Sequence, residues 1–71
     1  MTRDQALALI NIERQRQDRM HPEFQPDLRM AVLSEETGEV GRALQNKDAV
    51  NLQEELVQVA AVAVRWLEYL E

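Results

Sequence analysis

Seventy-one residues with a net charge of −5, no cysteine, two glycines and two prolines make one small domain, residues 1–71. A chain of this size buries too little apolar surface to be comfortably stable alone. Without cysteine, neither disulfides nor thiolate metal sites can compensate, which leaves oligomerisation, an oxygen-ligated metal, or both. The acidic balance with no basic stripe counts against a nucleic-acid partner, whose phosphates need positive groups.

The opening residues Met1-Thr2-Arg3-Asp4 carry no apolar run of the signal-peptide kind. The longest apolar stretch, residues 56–64, is broken by Gln58 and too short to span a bilayer. A cytoplasmic protein without a membrane partner is therefore expected.

Apolar spacing is helical throughout, and an all-α protomer of three helices is expected. Thr2 with Gln5 fits a capping box, so the first helix should begin near Arg3 and turn Ala6, Leu7, Leu9, Ile10 and Ile12 inward. Residues 13–19 are strongly polar, either a solvated last stretch or a set of groups facing a site. His21-Pro22 should end this helix, because the residue before proline is pushed out of the α region. Pro26 fits the first turn of the second helix, which should run to Gln45 with Asn46 as its cap. Asp48, or Asn51 with Glu54, can start the third helix, which should reach the chain end. Between residues 56 and 64 that helix is apolar on every side except at Gln58. Two short neighbours cannot enclose it, so a second subunit is expected to.

Successive helical residues are about 100° apart, and that spacing puts charge where apolar side chains belong. On the second helix Glu36 and Glu39 fall within the arc of Val32, Leu33, Val40 and Ala43, with Glu35 near its edge. On the third, Glu55 lies among Leu52, Val59, Val62 and Trp66. A short connection makes these helices antiparallel and brings Glu39 and Glu55 to the same end. Several carboxylates on buried faces are costly and repel one another. Arginines could pair with them, the carboxyls could protonate, or a hard cation could bind. Oxygen-only ligation suits Mg²⁺ or Mn²⁺. The bland alternative is a bundle mouth open to water.

The run 33–40, Leu-Ser-Glu-Glu-Thr-Gly-Glu-Val, followed by Glu55-Leu56-Val57-Gln58-Val59, resembles the MazG-like all-α nucleotide pyrophosphohydrolases. Their signature is E-x-x-E on one helix and E-x-x-D on the next. Glu36-x-x-Glu39 and Glu55-x-x-Gln58 match it in order and separation, and the resemblance extends from about residue 10 to residue 70. It implies a helical dimer or tetramer of four-helix-bundle type. It also implies Mg²⁺-dependent hydrolysis of nucleoside triphosphates, often deoxy or non-standard ones, to monophosphate and pyrophosphate. Glu36, Glu39 and Glu55 would be ligands, Gln58 would offer an amide oxygen in place of the fourth carboxylate, and Glu35 would be a further ligand or a water-orienting base.

Many relatives carry a basic C-terminal segment. Within these 71 residues, Lys47 or the arginines of the first helix, such as Arg14, are the candidates for that phosphate contact, from the same or another subunit, with a plain surface charge as the alternative for each. His21 is a candidate for base or phosphate contact, and Trp66 is either a base-stacking wall or core packing. A non-catalytic interaction module that kept the bundle and lost activity is the alternative, with Gln58 as its support. A di-iron bundle is disfavoured because the second and third helices contain no histidine.

Overall fold

A computed structural model describes residues 1–70. It contains three α-helices, α1 (Arg3–Met20), α2 (Arg29–Gln45) and α3 (Ala49–Glu68), with a single 3₁₀ turn at Pro26–Leu28. Among the described residues there is no strand, and no helix is long and apolar enough to cross a membrane.

Local chemistry sets the helix boundaries. Gln5 N–H donates to Thr2 Oγ1 at 3.1 Å and Thr2 N–H to Gln5 Oε1 at 2.8 Å, which completes the capping box of α1. His21 caps the other end. Pro26 does not open α2 directly. Leu28 N–H pairs with Gln25 C=O at 3.0 Å, a three-residue spacing that holds one tight turn before α-geometry begins at Arg29.

The α2–α3 connection is a Schellman turn. Asp48 N–H bonds to Ala43 C=O at 3.1 Å, and Lys47 N–H to Leu44 C=O at 3.2 Å. Lys47 takes the left-handed conformation, φ 53°, that glycine usually supplies there. Asp48 then caps α3 by accepting from Asn51 N–H at 3.0 Å. This tight reversal makes α2 and α3 antiparallel. Helix α3 stops at Glu68 rather than running to the chain end; Glu71 lies outside the described residues.

Helix α3 is central. Both α1 and α2 pack on it, and among the described residues they do not pack on each other. The core is correspondingly thin: Phe24, Ala43, Ala61 and Val62 are the buried hydrophobics, none of them large and fully enclosed. Leu7 and Ile12 were expected inside but are 55% and 60% exposed, because α1 leans only on α3 and its flank meets nothing. The outer side of α3 is likewise open, with Leu56 and Leu67 more than half exposed. The helix that is apolar all round is thus covered on one side only within a single chain.

The end of the bundle opposite the α2–α3 turn is closed by cations on aromatic rings. Phe24, from the loop after α1, has the Arg29 guanidinium 5.0 Å and the Arg65 guanidinium 4.8 Å from its ring centre. Tyr69 meets the same ring edge-on at 5.6 Å. Arg65 also donates to His21 C=O, and Arg29 donates twice to Phe24 C=O. These contacts pin the loop to α3.

Candidate functional site

Because α1 and α2 both pack on α3 but not on each other, a cleft of about 330 Å³ opens between them. Glu13, Arg16 and Gln17 of α1 form one wall, and Val32, Glu35 and Glu36 of α2 the other. Gln58, Val62 and Arg65 of α3 make the floor, and His21 and Phe24 close one end. Of the polar stretch 13–19, Glu13, Arg16 and Gln17 line this cleft, while Gln15, Asp18 and Arg19 are exposed.

The helix-face arc holds. On α2, Val32, Leu33, Glu36, Glu39 and Val40 are half-buried and Ala43 is buried. On α3, Leu52, Glu55, Val59 and Trp66 are half-buried around buried Val62. Burial pushes the Glu36 carboxyl above the ordinary value of 4.5, and charge on Glu55, Glu35, Glu39 and Glu13 adds to the rise. Glu55 is raised for the same first reason. Glu39 and Glu54 push it further, and Arg42 pulls weakly against them. Acidic side chains from all three helices therefore act on a single region.

Glu36 and Glu55 meet at Gln58. The amide orientation that satisfies both of its polar atoms has Nε2 donating to Glu36 Oε2 at 2.8 Å and to Glu55 Oε2 at 3.2 Å. Glu39 turns instead to Arg42, one turn along its own helix, at 2.9 Å. With these acids held by neutral or cationic partners, no three acidic or imidazole groups among the described residues stand close enough to share an ion. The donor chemistry nevertheless fits Mg²⁺ or Mn²⁺: oxygen ligands only, two of them converging on one point where the neutral Gln58 amide N–H₂ now sits. Glu36 and Glu55 are the best placed to hold such an ion. Glu39 can contribute only by leaving Arg42, and Glu35 lines the same wall, exposed.

The substrate candidates divide. His21 lines the cleft. Arg14 does not; it is buried against α3, with Nε and Nη2 on the two oxygens of Glu68 at 2.6 and 3.0 Å and Nη1 on Asp18 at 2.8 Å. Its guanidinium is consumed in fastening α1 to α3. Lys47 sits exposed in the turn, and Trp66 is half-buried away from the cleft lining. Glu13, Arg16, Phe24 and Arg65 are cleft residues that helix periodicity did not single out. Glu13 is largely covered and chelated by Arg16 at 2.7 and 2.9 Å. Gln17 Oε1 and Arg65 Nε are enclosed without a hydrogen-bond partner.

No curated protein and no solved structure matches this chain. Residues 24–68 match the MazG nucleotide pyrophosphohydrolase domain, a span that holds α2, the Schellman turn, α3 and every one of the converging acids except Glu13. The match covers well over half of the chain, and the chain belongs to the MazG family.

Proposed function

We propose that this chain is a Mg²⁺-dependent nucleotide pyrophosphohydrolase, with Mn²⁺ as a substitute ion. It would hydrolyse nucleoside triphosphates, non-standard or deoxy ones among them, to the monophosphate and pyrophosphate. The observation that carries this reading is the convergence of Glu36 and Glu55, both raised by burial, on one point beside a 330 Å³ cleft. A bound divalent ion there supplies the positive charge that an acidic chain needs to meet phosphate oxygens. Glu36 and Glu55 hold the ion, Glu39 joins them on release from Arg42, and Gln58 offers its amide oxygen. Glu35, exposed on the cleft wall, orients the attacking water.

Assembly is part of the proposal. The uncovered side of α3, with Leu56 and Leu67, supports a homodimer or homotetramer. A second copy could add Lys47 or Trp66 to the basic groups Arg16 and Arg65 that already line the cleft. We place the protein in the cytoplasm, where its substrates are made.

The second reading is a helical interaction module without activity, favoured by the amide that stands where the family pattern has a carboxylate. One assay separates the two: pyrophosphate release from a panel of canonical and modified nucleoside triphosphates with Mg²⁺ or Mn²⁺, alongside calorimetry of the metal alone. Turnover of at least one triphosphate that stops on chelation is expected. Absence of both turnover and metal binding would leave the module reading.

A further inference from the structure

Gln58 is the one member of the acidic cluster that can be both donor and acceptor. It stands one turn after Glu55 on α3 and reaches across to Glu36 on α2. If its oxygen pointed at the two carboxylates, three acceptors would crowd together in a half-buried place. With the amide turned over, its two N–H bonds serve one carboxylate each. An aspartate here would add a third negative charge and no donor, and the two glutamates would then stay together only with a cation between them. The last torsion of a glutamine is broad and nearly two-fold, so exchanging nitrogen for oxygen needs no movement of either helix.

We infer that Gln58 is a two-state latch. In the metal-free protein its amide N–H₂ ties Glu36 to Glu55 and keeps the α2–α3 pair assembled. When a divalent cation enters between the carboxylates, the amide turns and presents its oxygen as a neutral ligand. This rests on the metal reading of the site and adds to it a reason for the departure from a carboxylate. The chain gives up cation affinity and gains a site that is already formed without the cation. Two hydrogen bonds must break for the ion to enter, and one negative charge fewer receives it.

The test is a proton–nitrogen NMR titration of the intact protein with Mg²⁺, following the Gln58 side-chain amide and the carboxyl carbons of Glu36 and Glu55. Without metal, both amide protons should lie downfield of free glutamine and exchange slowly with water. With saturating Mg²⁺ they should move back toward the free position and exchange faster while the carboxyl carbons shift. Carboxyl shifts with an unmoved amide overturn the latch and leave the metal site standing. If Mg²⁺ moves nothing at all, the metal reading and the latch fall together. A Gln58→Asp variant gives an independent readout: its metal-free melting temperature should drop while Mg²⁺ binds roughly tenfold more tightly. Unchanged metal-free melting in that variant also overturns the latch.

Discussion

The two ends of the cleft solve opposite electrostatic problems. At the Gln58 end, carboxylates gather without enough cations: Gln58 bridges Glu36 and Glu55, Arg42 holds Glu39, and Arg16 holds Glu13. At the Phe24 end, Arg29 and Arg65 have no carboxylate partner among the described residues and rest instead on aromatic faces and backbone carbonyls. The second arrangement is met from within the chain except at Arg65 Nε, since a ring face and a carbonyl both offer negative potential to a cation. The first is not, because desolvated carboxylates that repel one another are stabilised chiefly by something positive from outside. On the proposed function, one end of the cleft serves stability and the other a ligand. A site and a scaffold can therefore be told apart here by which charges the fold itself satisfies.

The sharpest way to break this contrast is to remove one acid. Glu36→Gln should lower triphosphate hydrolysis by about a hundredfold or more, since losing even an outer-shell partner of a metal ligand costs 10–100-fold. Without metal, the same variant should be more stable than the parent at neutral pH. The sign follows from the raised carboxyls. A group whose folded pKa lies above its ordinary 4.5 contributes stability in full below that value and loses it as pH rises through the folded value. The advantage of the variant should therefore be absent at about pH 4 and grow toward pH 7, read as melting temperatures across that range without metal. A variant less stable than the parent at pH 7 would mean that Glu36 is a charge satisfied within the fold, like the arginines at the other end.

Arg65→Met tests that other end. Arg65 is only 4% exposed, and the substitution removes its bond to His21 C=O and its guanidinium from the Phe24 face. A loss of about 2–3 kcal/mol is expected from chemical denaturation, from a charge-assisted hydrogen bond together with a desolvated cation–π contact. An unchanged midpoint would show that the loop is held by something else and that the cationic end is not the scaffold.

Legibility in the sequence followed the range of the interactions. The caps at Thr2, Asn46 and Asp48 could be read because capping involves residues three or four apart. The inward placing of Glu36, Glu39 and Glu55 could be read because helical spacing alone fixes a face. Arg14 could not: its partner Glu68 is 54 positions away, and no local pattern distinguishes a fastening arginine from a phosphate-binding one. Leu7 and Ile12 were misplaced because periodicity identifies an apolar side without saying whether the chain has anything to set against it. Glu13 was legible only as part of a polar stretch, since which of residues 13–19 turn inward depends on how α1 crosses α3. Phe24 carried one weak signal, a lone phenylalanine between two prolines.

The smallest expected effect lies outside both ends of the cleft, in the turn that joins the helices of the site. Lys47 was a candidate phosphate contact, yet its backbone holds a left-handed conformation and it fills the position in a Schellman turn where glycine is usual. A side chain in that conformation costs about 1–2 kcal/mol, and glycine gives back part of the gain through the extra freedom of the unfolded chain. Lys47→Gly should therefore stabilise the protein by about 0.5–1 kcal/mol. The measurement pairs chemical denaturation with KM for the triphosphate. Higher stability with unchanged KM makes Lys47 a turn residue and leaves the phosphates to cations bound at Glu36 and Glu55. A severalfold rise in KM despite the added stability would instead show that its ammonium reaches the substrate, and the acidic end would then owe part of its positive charge to the chain itself.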